Sequence, residues 1–400
     1  MKILAGGNVC SAKGFQASGL GCGVKEGLRD LALVYSEVSA NGAAVYTKNK
    51  VQAAPIQVCR EHLGDGQARV VVLNSGNANA CTGAEGLGNA RRMCALTAEQ
   101  VGLPPGDVLV CSTGVIGVQL PMAAIEGGIP QAVEALSGNG GRDAAEAIMT
   151  TDTVPKIFGV EVEIGGSKVR VGGMAKGSGM IAPDMATMLA VITTDAAVAP
   201  EFLRQLLGTA VRRSFNCITV DGDMSTNDTV IVLANGASGA AEISGGGAAA
   251  DDFYAALEMV CRELARQIAR DGEGATKLVS IRVGGARDEA AARQVGLSVA
   301  NSNLVKTAVF GRDPNWGRIL CAVGYAGVDI DPEKVEVSLC GTPIYGGGVG
   351  LGFDQEALIE AMGAEDIPIE IDLGQGPGQA EIFTCDFSYD YVRINAEYTT

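Results

Sequence analysis

Short runs of β-branched and aliphatic residues alternate along this chain with amphipathic helical stretches, and that alternation commits it to a mixed α/β architecture. Strand-like runs are "RVVVLNS" (69–75), "DVLVCST" (107–113), "IFGVEVEI" (157–164) and "DTVIVLANG" (228–236). Apolar residues at helical spacing mark "APEFLRQLLGTAVRRSF" (199–215) and "ADDFYAALEMVCRELARQIARDG" (250–272), the second closing on glycine as a helix C-terminus does. "EVEIGGSKVRVGG" reads as a hairpin, two alternating runs around Gly165–Gly166. "ASGAAEISGGGAAADD" (237–252) is a small-residue loop. From about residue 276 the strands shorten ("LVSIRVGG", "KVEVSLCG", "IPIEIDLG", "AEIFTCDFS") and the helices become brief. At 400 residues the chain exceeds what one core usually holds, so a main domain over 1–275 and a second α/β domain over 276–400 are expected.

Composition excludes several functions. The net charge of −16 repels nucleic acid and anionic lipid, so partners of those kinds are not expected. No 18-residue apolar stretch exists, and the run in "MKILAGGNVC" is too short for a signal peptide. The eleven cysteines form no C-x-x-C pair and have no zinc-like spacing; they read as small buried residues in a reducing, cytoplasmic setting. No metal is expected: in "DGDMSTNDTVIV" the sixth and twelfth positions of a calcium loop are Thr226 and Val232. Asp221, Asp223, Ser225 and Asp228 read instead as a turn network supporting a site. "GGGVGLG" (346–352) lacks the context of a dinucleotide site, no phosphate-binding loop with a lysine occurs, and Trp316 reads as a packing anchor. The single histidine, His62 in "VCREHLGDG", reads as a solvated loop residue. Acyl-transfer chemistry here needs a base other than imidazole.

One stretch offers such a base. "KGSGMIAPDMATMLAVITTD" (176–195) carries a glycine-rich approach, then a threonine at the head of an apolar run. Threonines in such runs are ordinarily strand residues with satisfied hydroxyls. A threonine hydroxyl held against the preceding carbonyl can also attack it and give an ester, whose hydrolysis frees a new N-terminus. The new α-amine, with a reference pKa of about 7.7–8.0, is a usable base near neutrality. Threonine activated by its own amine is an established nucleophile arrangement.

With "NSGNANACTG" (74–83), "CSTGVIG" (111–117), "AIMTTDTVPK" (147–156), "SFNCITVDGDMSTNDT" (214–229), "DGEGATK" (271–277), "FGRDPNWGR" (310–318) and "YVRINAEYTT", this stretch resembles the glutamate N-acetyltransferase/ornithine acetyltransferase family of arginine biosynthesis. The blocks occur in the family's order over nearly the whole chain. The resemblance implies a layered αββα sandwich with a smaller α/β domain. It also implies self-cleavage at Ala186–Thr187 into intertwined chains 1–186 and 187–400, two of each forming a heterotetramer. The implied reaction is ping-pong: N-acetylornithine acetylates the threonine, ornithine leaves, and glutamate collects the acetyl group. No cofactor is implied, though some members take acetyl-CoA as a first donor.

Carried over by position, Thr187 matches the nucleophile, and Thr113 and Gly114 the oxyanion-hole pair. Thr153, Lys176, Glu273, Asn395 and Thr400 match substrate contacts. A pocket that admits ornithine and then glutamate must be polar, partly hydrated and of mixed charge. The competing reading is a self-cleaving threonine amidohydrolase or aminopeptidase, which gives the acyl group to water.

Overall fold

In the computed structural model, which describes residues 1–182 and 188–397, the glycine hairpin is the centre of the first of three sheets. That sheet contains β1 (Lys2–Ile3), β4 (Asn41–Tyr46), β7 (Lys156–Ile164), β8 (Ser167–Lys176), β9 (Leu189–Thr194) and β10 (Thr229–Ala234) in the order β1-β7-β8-β9-β10-β4. β7 and β8 pair antiparallel down to Ile164↔Ser167, with Gly165 and Gly166 at φ 57° and 82°. A two-residue turn with positive φ at both positions matches the twist of paired strands, and glycine takes it without a Cβ penalty. β9 then pairs antiparallel with β8 and parallel with β10, seating Leu189 opposite both Lys176 and Thr229.

A second sheet, β2 (Phe15–Leu20), β3 (Leu31–Ser36), β5 (Val70–Asn77) and β6 (Val108–Val115), packs against the first. Side-chain parity decides the layers. Leu189, Val191, Ile231 and Leu233 enter one buried cluster with the aliphatic residues of β3, β5 and β6. Their neighbours Ala190, Ile192, Val230 and Val232 face the other way, under α5 (Pro200–Arg212) and α6 (Ala248–Arg270). On α6, Phe253, Leu257, Val260, Leu264 and Ile268 recur every three or four residues and are fully buried. Each such side chain contributes about 1.5–3 kcal/mol by leaving water. α1 (Ala54–His62), α2 (Gly83–Val101), α3 (Met122–Glu134) and α4 (Gly141–Ala147) pack on the second sheet. The result is an α/β/β/α layering.

A third sheet has its own core, built from Ile281, Val283, Ile369, Ile371 and Ile382. Its strands are β11 (Leu278–Ala286), β12 (Glu336–Leu339), β13 (Thr342–Gly346), β14 (Val349–Gly350), β15 (Asp366–Asp372) and β16 (Gly378–Cys385), ordered β14-β13-β12-β15-β11-β16. α7 (Glu289–Ala300), α8 (Asn303–Phe310) and α9 (Trp316–Gly324) supply apolar residues to that core, and Leu358 of α10 (Gln355–Ala361) joins them. α11 (Tyr389–Glu397) then leaves this sheet and returns to the end of α6, where a Cβ on Gly274 would stand 2.5 Å from the Tyr391 nitrogen. Only glycine permits that approach.

Two readings of the sequence change. His62 is no loop residue: it ends α1, half-buried, with Nδ1 2.7 Å from the Val108 carbonyl. Its polar neighbours disguised the last turn of a helix whose apolar side faces the core. Helices beside the third sheet are also longer than the sequence suggested, α7 running twelve residues. Among the described residues, no helix is long and apolar enough to cross a membrane.

Candidate active site

Segments far apart in sequence converge on a cleft open to solvent. Thr113 and Gly114 come from the end of β6, Lys176 from the end of β8, and Gly179 and Met180 from the loop after it. Ser225, Thr226 and Asn227 precede β10, Glu273 follows α6, and Asn395 lies on α11; Thr150 and Thr151 complete the polar wall.

Gly114 is dictated by its surroundings. It sits at φ 133°, and a Cβ there would lie 2.3 Å from the Gly76 carbonyl carbon and 2.5 Å from the Asn77 nitrogen. The β5–β6 pairing sets Ser75 against Thr113 and Gly76 against Gly114. Thr113 is 3% exposed and lines the cleft, and among the described residues its hydroxyl makes no hydrogen bond. A strand end that sets a threonine hydroxyl beside a glycine backbone in the cleft wall can stabilise a developing oxyanion.

The amides of "NSGNANA" hold this strand end in place. Ser112 donates to Asn74 at 2.6 Å, Asn74 donates to the Asn77 carbonyl, and Asn79 donates to the Gly86 carbonyl. Asn227 crosses from the other sheet, donating to the Ala78 carbonyl at 2.6 Å and the Ser112 carbonyl at 2.8 Å. Sheet-to-sheet register at the cleft is thus fixed by side-chain amides.

After β8 the chain turns through Gly177 (φ 155°) and Met180 (φ 57°). Asp221 clamps this turn by accepting from the Met180 and Ile181 nitrogens at 2.6 and 2.8 Å. A Cβ on Gly179 would fall 2.3 Å from the Glu273 carboxylate, so glycine leaves room for that acid in the cleft wall. Glu273 donates its N–H to the Ser178 carbonyl and accepts from Asn395 Nδ2 at 2.8 Å. The cleft therefore presents Lys176 and Glu273, a cation and an anion, among hydroxyls and amides.

Thr153 is not brought to the cleft. Its hydroxyl and N–H both donate to Asp271, and it lines a different cavity; Thr150 and Thr151 stand in the wall instead. The Ala186–Thr187 bond and Thr400 lie outside the described residues. Of the chain next to that bond, Met188 is described: its N–H donates to Asp228 Oδ1 at 2.9 Å, and its carbonyl accepts from Thr229. Asp228 is wholly buried, and its Oδ2 has no partner among the described residues. Burial pushes its carboxyl well above the usual range, against the opposing effect of the Met188 N–H.

Sequence reasoning passed over three residues here. Asp152 and Lys156 are fully buried ion-pair partners, and Asn227 joins the two sheets. "TTDTVPK" carried a signal only in having an acid and a base four apart, a spacing that surface turns share.

A sequence model of the ArgJ family matches residues 16–400. The "Arginine biosynthesis bifunctional protein ArgJ" of Geobacter sulfurreducens is 50% identical over 392 residues, covering 98% of this chain and all of that one. The protein of the same name from Symbiobacterium thermophilum is 49% identical over 403 residues, covering both chains fully. Among solved structures, the arginine biosynthesis bifunctional protein of Bacillus halodurans is similar at 48% identity and a TM-score of 0.44, covering 46% of this chain and 97% of that one. Ornithine acetyltransferase complexed with ornithine from Mycobacterium tuberculosis is 40% identical with a TM-score of 0.43 and the same coverage.

Proposed function

The chain belongs to the ArgJ family, and from that premise we propose that it moves an acetyl group from N-acetylornithine to glutamate through an acetyl-threonine at Thr187. The observation that carries the reading is 50% identity, over 98% of the chain, to a protein named for arginine biosynthesis. The cleft supports it, because Lys176 and Glu273 offer a cation and an anion to amino-acid substrates that carry both a carboxylate and an amine side.

In this reading the Ala186–Thr187 bond breaks itself by acyl shift and hydrolysis, and the freed Thr187 amine becomes the base. That amine takes the hydroxyl proton as Oγ attacks the acetyl carbonyl. The tetrahedral oxygen is stabilised by the Thr113 hydroxyl and the Gly114 N–H, a donor pair whose members are each worth about 10²–10³ in turnover. Collapse returns the proton to the departing ornithine amine and leaves the acetyl ester. Glutamate's amine then attacks that ester by the reverse sequence, regenerating Thr187. Lys176 holds the α-carboxylate common to both substrates, and Glu273 with Asn395 faces their amine side. Thr400 joins the substrate contacts; Thr153 acts through Asp271.

Acetyl-CoA as a second donor is part of the proposal, supported by the word "bifunctional" in the relatives' names. So are an assembly of two 1–186 and two 187–400 chains, a cytoplasmic location, and chemistry that uses no metal or bound cofactor. The test is ornithine release from N-acetylornithine with and without glutamate. Without glutamate, release that stops at one equivalent per enzyme is expected; continued release should require glutamate and yield equimolar N-acetylglutamate. Glutamate-independent release with free acetate would make the protein a threonine amidohydrolase instead.

A further inference from the structure

Behind the cleft lies a buried row of alternating charge. Asp271 Oδ2 is 2.6 Å from Lys156 Nζ, Lys156 Nζ is 2.6 Å from Asp152 Oδ1, and Asp152 Oδ2 is 3.7 Å from Lys176 Nζ. None of the four side chains is more than 8% exposed, and their formal charges cancel. Buried charge is tolerated when paired and hydrogen-bonded, as here. At the end away from the cleft, the Asp271 carboxylate is engaged by Thr153. At the outer end, Lys176 donates to the Thr150 hydroxyl at 2.7 Å and faces the cleft.

Asp152 is the hinge of this row. Besides both lysines, its carboxylate accepts from the Thr150 nitrogen at 3.0 Å and the Gly177 nitrogen at 2.6 Å. It therefore grips both the threonine wall and the exit of β8 while standing behind the lysine between them. We infer that Asp152 is a positioning residue for acetyl transfer, fixing Lys176 in place and keeping it cationic, while Lys156 limits how strongly it does so. The inference rests on the function proposed above. A neutral Lys176 could donate one hydrogen bond but could not hold a carboxylate by charge.

The groups acting on Lys176 sort by sign. Burial pushes its ammonium below the ordinary lysine range, Asp152 raises it, Lys156 lowers it, and Glu273 and Asp228 raise it. Lys25, whose Nζ is bound to the Met149 carbonyl, is a further cation that interacts with Lys176. Asp152 is itself held below the usual carboxylate range: burial pushes it up, but Lys176 and Lys156 outweigh that.

Opposite signs give a test that a purely structural role does not satisfy. A charge at this distance moves a pKa by about 1–3 units. In Asp152→Asn the Lys176 pKa falls by at least about one unit; in Lys156→Gln it rises. Competitive labelling with isotopic acetic anhydride, read by mass spectrometry on the Lys176 peptide across pH, measures both shifts without turnover. The alkaline limb of kcat/KM for N-acetylornithine must move in the same directions. Limbs and labelling that stay fixed, or move together, in variants with native circular dichroism overturn the inference. If Asp152→Asn does not fold, the Asp152→Asn/Lys156→Gln pair removes one charge of each sign and is labelled instead; a Lys176 pKa less than about one unit below the wild-type value is then expected, since the two effects oppose and that of Asp152 is the larger. Failure of both to fold assigns the row to stability and also overturns it. Wild-type protein that transfers no acetyl group sinks the proposed function, and the labelling shifts still decide the electrostatic claim.

Discussion

Replacing Gly114 by alanine puts a methyl group where backbone already stands, and its cost can be separated into two parts. The first is conformational: Gly114 sits at φ 133°, where side chains are rarely tolerated, for about 1–3 kcal/mol. The second is steric, since the new Cβ would meet the Gly76 carbonyl carbon at 2.3 Å and the Asn77 nitrogen at 2.5 Å. Backbone cannot swing aside as a side chain can, so β5 and β6 must part at the cleft. Gly117 is the matched control: it also has positive φ (82°), but nothing lies within 4 Å of its Cβ position. Gly117→Ala should therefore lose only about 1–2 kcal/mol and keep near-normal turnover. Gly114→Ala should lose more stability than that and about 10²–10³ in kcat, because the N–H proposed for the oxyanion moves with the strand. Urea titration and steady-state transfer from N-acetylornithine to glutamate measure both quantities. Equal losses in the two alanine variants would refute the reasoning.

Glu273→Gln should separate the substrates, with kcat/KM for one of ornithine and glutamate falling about 10-fold or more beyond the other, as loss of a charged hydrogen bond implies; equal losses count against a charge-selective role. Gly179→Ala, whose Cβ would strike the Glu273 carboxylate at 2.3 Å, should reproduce that loss with little effect on stability, as thermal melting would report. Asn227→Ala removes two buried hydrogen bonds between the sheets, to the Ala78 and Ser112 carbonyls, so about 2–4 kcal/mol should disappear from a urea titration. Asp228 has a carboxyl raised on folding, so the folded state holds its proton at pH values where the unfolded chain has released it. Its contribution to stability is full below the unfolded pKa of about 4 and falls as pH rises from there. Asp228→Asn keeps an acceptor for the Met188 N–H and should flatten that fall between pH 4 and 7 or so, relative to wild type.

What could be read from sequence was what is local. Gly165–Gly166 between alternating runs announced the hairpin, and the helical period of 250–272 announced α6. Thr113, Gly114, Lys176, Glu273 and Asn395 were named through family motifs, not through spacing, and the fold brings these five to one cleft. The rest depends on pairing across long separations. Lys156 and Asp271 stand 115 residues apart, Asn227 and Ala78 149 apart, and no local pattern joins them. Thr153 illustrates the same limit: a hydroxyl in the right motif is drawn aside by an aspartate from the end of α6. His62 shows the converse, a helix end whose polar residues imitate a loop.

The proposed chemistry needs a threonine that carries both the acyl group and the base. Intact-mass spectrometry of the purified, active protein tests this most directly. The expected spectrum holds two polypeptides, 1–186 and 187–400, while Thr187→Ala remains a single chain without transfer activity. An active enzyme whose only species is the unbroken 400-residue chain contradicts the account.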